Sequence, residues 1–356
     1  YNLIINNTGG LSMRKTFIMV SLLTVTLTLS ACMLGVENAT NSVTVYSERH
    51  YDTDQILFDL FEEQTGIEVN IVSAGADELI NRLNNEGEDT EADVLIIADA
   101  GRLHRAKTQN LLQPVESSVL NANIPANYRD VDSEWFGLTM RARVLVYHPD
   151  RVSPDELSTY EALTEPQWEG RVVTRTSTNI YNQSLMASFI EIMGEDGARD
   201  FARGLVNNFA RTPQGNDRDQ SKAVVEGIAD VAIMNTYYIV RMQNSADPFE
   251  REVADTVGIF FPNQETTGTH VNISAAGVTR YSNNVENAVK LLEFLSSEEA
   301  QSSFASANYE YPINPNVEAD DLLKSWGEFK AQDIPLSILG TNSYQAAIIM
   351  DEEGWE

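Results

Sequence analysis

Cysteine is almost absent from this chain: Cys32 is the only one in 356 residues. An internal disulfide, a Cys-rich zinc site and an iron–sulfur cluster each need more thiols than that, so all three are excluded. Positive charge is scarce too, with 24 Lys and Arg against 53 Asp and Glu, a formal balance of −29. So acidic a surface repels phosphate backbones, which argues against nucleic acid as a partner. Catalytic signatures are missing as well: there is no Ser–His–Asp order, HExxH, P-loop or paired-Glu pattern, and the chain reads as a non-enzyme. Internal repeats and low-complexity tracts are also lacking. What remains is ordinary globular material, 42% hydrophobic and 22% charged, long enough for about two domains.

The lone cysteine has a context. Residues 1–12 carry no charge and lack an initial Met, and read as upstream read-through. From Met13 come Arg14-Lys15, an apolar run from Phe17 to Leu29, and then Leu29-Ser30-Ala31-Cys32. A short basic region, a hydrophobic stretch and small residues before a cut describe a secretory signal. With Cys directly after the small residues, the segment resembles a bacterial lipoprotein signal peptide over 13–31, which implies lipidation of Cys32 and a tether over 32–41. An uncleaved span from Thr16 to Leu34 and an ordinary cleaved signal are the competing readings.

Beyond residue 42 the pattern alternates. Val43–Tyr46, Val69–Val72 and Asp93–Ile97 read as strands. Thr53–Thr65, with Ile56, Leu57, Leu60 and Phe61 on one face, and Asp77–Asn85, through Leu79, Ile80 and Leu83, read as helices. This spacing predicts a parallel sheet with right-handed crossovers. A second block has strands at Arg141–Tyr147, Arg171–Thr174, Gly227–Met234 (entered from a helix end) and Val271–Thr279. Its helices run over Ser184–Met193, Gly197–Asn207, a stretch through Ala288, Leu291, Leu292 and Leu295, and Glu298–Ala305. Two α/β lobes are the simplest reading, and ligands of such proteins bind at strand carboxyl ends, between lobes. The acidic clusters Glu62-Glu63, Glu86–Glu91 and Asp351–Glu353 read as solvated faces.

Thirteen tyrosines are present, and three placements stand out. Tyr51 follows His50 just past the first strand, Tyr181 lies in a polar loop entering a helix, and Tyr237-Tyr238 follow a buried strand. All lie at or just beyond predicted strand carboxyl ends. Residue type and spacing alone leave their role open between structure and binding.

The segments Val45-Tyr-Ser-Glu-Arg-His-Tyr51, Asp99-Ala-Gly-Arg-Leu103, Arg141-Ala-Arg-Val144, Ser177-Thr-Asn-Ile-Tyr-Asn-Gln-Ser-Leu185, Asn235-Thr-Tyr-Tyr238 and Asn272-Ile-Ser-Ala-Ala-Gly-Val278 resemble the ferric-ion-binding proteins of bacterial ABC iron importers. The similarity runs over about residues 43–350. The resemblance implies a two-lobed α/β fold of the type II periplasmic-binding-protein class, each lobe a mixed, mainly parallel sheet flanked by helices. It assigns residues 42–142 and 267–318 to one lobe, and 143–266 and 319–356 to the other. It implies Fe³⁺ ligation by Tyr237 and Tyr238, by Tyr181 and Tyr51 as in a tyrosine-rich subgroup, and by His50, either as a ligand or as a hydrogen-bonding neighbour. With four phenols a synergistic anion is not expected. The implied setting is a periplasmic, lipid-anchored monomer serving an ABC permease and its ATPase.

The chemistry agrees with that expectation. Ferric ion is hard and prefers anionic oxygen, and metal ligation drives deprotonation of a phenol that otherwise titrates near 10. Fe³⁺ with four phenolates carries −1, so one guanidinium would neutralise it. Arg175 and Arg141 are favoured, with Arg49 a further candidate. His104, His148 and His270 lack a partnered pattern and read as surface or structural, and Asp99 reads as loop geometry. The competing function is a receptor of the same fold for an organic anion, a polyamine or thiamine.

Overall fold

The computed structural model describes residues 41–49 and 52–356. The signal segment, Cys32, the tether up to residue 40, His50 and Tyr51 lie outside the described residues. The first strand, β1 (Ser42–Ser47), leads to helix α1 (Asp52–Thr65), then β2 (Glu68–Ser73), α2 (Ala76–Glu86), β3 (Val94–Ile97), α3 (Ala100–Thr108) and α4 (Ser118–Asn123). In α2 the residues at helical spacing, Leu79, Ile80 and Leu83, are buried as expected. In α1 the buried stripe is Leu57, Phe58 and Phe61, whereas Ile56 is 61% exposed. The apolar face is therefore rotated from the expected one, with Phe58 buried in place of Ile56.

Strand β4 (Phe136–Tyr147) is longer than Arg141–Tyr147 and belongs to two sheets. Its first part pairs antiparallel with β8 (Val271–Val278) and β9 (Tyr311–Pro312), and its last five residues pair with β6 (Val231–Asn235) and β7 (Gly258–Phe260). The change of partners falls between Ala142, opposite Val271, and Arg143, opposite Asn235. Strand order is β2-β1-β3-β8-β4-β6-β5, with β5 spanning Val172–Val173. Parallel ladders lie at the outer ends (β2–β1–β3 and β5–β6) and antiparallel ones in the middle. Strand–helix alternation cannot reveal the middle ladders, because β8 returns antiparallel beside β4 only after more than a hundred intervening residues. Past the change of sheet, Val144 and Val146 enter one apolar cluster and Leu145 and Tyr147 another, the two-residue period of a strand covered on both faces.

The remaining helices dress this frame. They are α5 (Ile180–Asn207), α6 (Asp217–Val225), α7 (Thr236–Gln243), α8 (Pro248–Thr256), α9 (Val285–Leu295), α10 (Glu298–Asn308), α11 (Asp321–Ser325), α12 (Ile338–Thr341) and α13 (Ser343–Glu352). The two helices expected on either side of residue 195 form one unit, broken at Gly194, whose φ of +76° a side-chain-bearing residue rarely adopts. Helix α13 packs along α5. Glu353, expected on a solvated face, instead pairs with Arg199 at 2.9 Å and Arg203 at 2.8 Å and ties the carboxyl end to α5. The start of α6 is a reciprocal cap: Asn216 accepts from the Arg218 and Asp219 amides, and Asp219 accepts from the Asn216 amide. Asn216→Ala is expected to lower stability by about 1 kcal/mol, read as the thermal unfolding midpoint of the iron-free protein. An unchanged midpoint would mean the cap is idle.

Candidate metal centre

Strand β6 is buried along its whole length and runs straight into α7, with extended Asn235 as the cap residue. Tyr237 and Tyr238 therefore stand in the first turn of α7. Tyr181 stands in the first turn of α5, where the Asn179 side chain caps the helix by accepting from the Tyr181 amide at 3.1 Å. Helix amino termini carry unsatisfied N–H groups and a partial positive charge, an environment that favours an anionic oxygen.

The three phenols converge. The Tyr181 and Tyr237 hydroxyls lie 3.1 Å apart, and the Tyr238 phenol is near enough to both for each to shift its pKa. The Tyr237 and Tyr238 rings stack with centroids 4.3 Å apart. A small octahedral cation with metal–oxygen bonds of about 2.0–2.1 Å holds neighbouring oxygens about 2.9 Å apart. The hydroxyl spacing is therefore close to that of adjacent ligands. Tyr237 is buried, while Tyr181 and Tyr238 remain partly accessible. Burial pushes the Tyr238 phenol above its ordinary value, helped by Tyr181 and Asp217. Among the described residues no group of three His, Cys, Asp or Glu could hold a metal.

Three guanidiniums surround the Tyr181 ring, Arg175 at 5.4 Å, Arg141 at 5.5 Å and Arg143 at 5.9 Å from its centroid. Their charges are spent differently. Fully buried Asp217 receives Arg143 on one oxygen at 3.4 Å and Arg175 on the other at 2.8 Å. Arg141 donates to the Ala98 carbonyl rather than to a carboxylate. Burial works against the Arg141 cation, but Tyr181, Tyr237, Glu310 and Asp99 outweigh it and hold its pKa above the usual range. Arg143 is shifted down by burial.

Of the arginines named from sequence, the structure brings Arg141 and Arg175 to the tyrosines and commits Arg49 to another task. Arg49 forks onto Asp54 at 2.9 and 3.1 Å and reaches Glu310 at 3.0 Å and Ser274 at 2.8 Å. Two carboxylates already offset its single charge. Asp99 is more than loop geometry. It caps α3 and, fully buried, accepts from Ser184 of α5 at 2.9 Å and Asn272 of β8 at 2.7 Å. His270 is buried on Gln332, and burial lowers its pKa to about 3, so it is a neutral structural residue.

Arg143 and Asp217 went unnoticed as site residues in the sequence. The usable signal for Arg143 is a second arginine two places after Arg141 inside an otherwise apolar strand. Asp217 offers no such signal, since its partners lie 42 and 74 positions away in the chain.

A family model for bacterial extracellular solute-binding proteins matches residues 89–333. The iron uptake protein A1 of Synechocystis sp. is 48% identical over 314 residues, covering 88% of this chain and 87% of that protein. A Trichodesmium protein solved with iron and citrate ligands superposes with a TM-score of 0.87 at 48% identity, over 88% of this chain and all of that one. The ferric binding protein from Campylobacter jejuni gives 0.82 at 42% identity, again over 88% of this chain and all of its own.

Proposed function

The chain belongs to the bacterial extracellular solute-binding proteins, in the branch of the iron uptake and ferric-binding proteins, and we propose that it captures ferric iron for an ABC importer. The observation that carries this reading is the convergence of three phenols from the first turns of two helices, with Tyr181 and Tyr237 oxygens 3.1 Å apart. In this reading Tyr181, Tyr237, Tyr238 and Tyr51 ligate Fe³⁺ as phenolates, and His50 completes or borders the set. Four phenolates leave the iron at −1. Arg141, whose charge no carboxylate among the described residues receives directly, is the guanidinium that balances it, with Arg175 beside it shared with Asp217. A site balanced in this way needs no synergistic anion.

The two lobes comprise residues 42–142 with 267–318, and 143–266 with 319–356. The exchange of partners along β4 at Ala142 and Arg143 supports a hinge there. Tyr51 then belongs to one lobe and Tyr181, Tyr237 and Tyr238 to the other, so metal binding draws the lobes together. The protein works as a monomer in the periplasm, held by a lipid on Cys32, and hands iron to a permease driven by its ATPase. It performs no chemistry on its cargo beyond binding and release.

Purified protein given ferric citrate is expected to turn red-orange through phenolate-to-iron charge transfer, and the Tyr237→Phe/Tyr238→Phe variant is expected to stay colourless. A wild-type protein that takes up no iron and shows no colour would sink the reading in favour of a receptor for an organic anion, a polyamine or thiamine.

A further inference from the structure

The tyrosine helices α5 and α7 are not in register by their own sequence. Something must hold their first turns so that the hydroxyls meet. Arg143 reaches both, and Asp217 binds Arg143 and the start of α7. Arg143 is 1% exposed, and its guanidinium donates to the Asn182 Oδ1 at 2.5 Å, the Asn235 Oδ1 at 3.3 Å and Asp217 at 3.4 Å. Asn182 follows Tyr181 directly, and Asn235 is the cap residue two places before Tyr237. Asp217 in turn accepts from the backbone amide of Asn235 at 3.0 Å and pairs with Arg175. Asn182 turns its amide nitrogen to the Arg175 carbonyl at 2.7 Å, which closes the circuit behind the phenols.

We infer that Arg143 and Asp217 are a positioning pair for iron capture: a buried frame that sets the first turn of α5 against that of α7 and so fixes the distance between Tyr181 and the Tyr237–Tyr238 pair. The inference rests on the ferric-iron reading and deepens it, because neither residue touches the cargo. Partners that orient metal ligands typically contribute 10- to 100-fold to metal affinity, since a rigid donor set loses little freedom when the ion arrives.

The pair also admits a clean separation of position from charge. Arg143→Met/Asp217→Asn removes one positive and one negative charge together, so the net charge around the phenols is unchanged. Replacing both members of a buried ion pair often leaves stability unchanged or improved, and Arg175, 19% exposed at its side chain, can then turn to water. A purely structural pair would therefore leave iron binding intact in the double variant. A positioning pair would not.

The test loads full-length wild type, Arg143→Met/Asp217→Asn and Asn182→Ala with ferric citrate. It then follows iron loss to an aminocarboxylate chelator through the charge-transfer band, alongside the thermal midpoint of each iron-free protein. The expected result is that both variants still colour, with affinity down by about 10- to 100-fold and a displaced band maximum, while the iron-free double variant melts close to wild type. Asn182→Ala keeps the ion pair and removes the link from Arg143 to Tyr181's helix, together with the Asn182 bonds to the Arg175 and Thr176 carbonyls, so it decides the matter if the double variant does not fold. Affinity within twofold of wild type and an unmoved band in the folded variants would overturn the inference. In that case a coloured wild type leaves the iron reading standing, whereas a colourless wild type removes both.

Discussion

Lowering the pH by about two units from neutrality is expected to weaken iron binding by several orders of magnitude. A phenol ordinarily titrates near 10, and burial moves Tyr238 higher still. At neutral pH Tyr238 therefore carries its proton before iron arrives, and every phenol that becomes a ligand must give its proton up. Protons leave as iron binds, so affinity rises with pH and falls as acid is added. Each proton released contributes a factor of ten per pH unit, so three phenols give about 10³ per unit and four about 10⁴. The check is a competition titration against a chelator of known proton affinity, with the logarithm of the affinity plotted against pH. A slope near three or four counts the phenols. A slope below one would rule out phenolate ligation, whatever the colour of the sample.

That slope would also weigh the part of the site most legible in the sequence. Tyr181 and Tyr237-Tyr238 could be picked out because they follow polar or strand-end segments, and a helix amino terminus after a buried strand is a local feature written in adjacent residues. The strands Val43–Tyr46 and Asp93–Ile97 and the helix through Leu79, Ile80 and Leu83 were legible for the same reason, since periodicity is local. What could not be read depends on distant pairing. The first half of β4 looks irregular until β8, more than a hundred residues on, supplies its ladder. Ile56 and Phe58 are equally apolar, and only the packing of α1 in the folded chain chooses between them. Arg143 and Asp217 are two charged residues in a chain with 77 Asp, Glu, Lys and Arg in all, and nothing but the fold shows that both are buried against each other. The placement of the tyrosines at strand ends can be read from their neighbours and their role only from the family resemblance, whereas the frame that spaces them exists only in three dimensions.

Arg49 shows the same limit from the other side, and its substitution is expected to have the larger effect on stability. By charge counting it was a candidate to balance the iron. In the structure its guanidinium is 2% exposed and divides its donors among Asp54, Glu310, Thr139 and Ser274. Arg49→Ala would take from Asp54 and Glu310, both buried, the cation that each of them pairs with. Removing one partner of a buried pair costs about 3–5 kcal/mol, because the remaining charge stays desolvated. At about 2–4 °C per kcal/mol for a chain of this class, the thermal midpoint should fall by about 6–20 °C. Arg49→Lys should lie between the two, since it restores the charge but not the two-pronged grip on Asp54. The iron-free protein is the decisive sample. If Arg49 served the cargo, Arg49→Ala would spare the iron-free midpoint and weaken only the iron-loaded form, whereas the ion-pair network requires the iron-free midpoint to drop by the full amount before any iron is added.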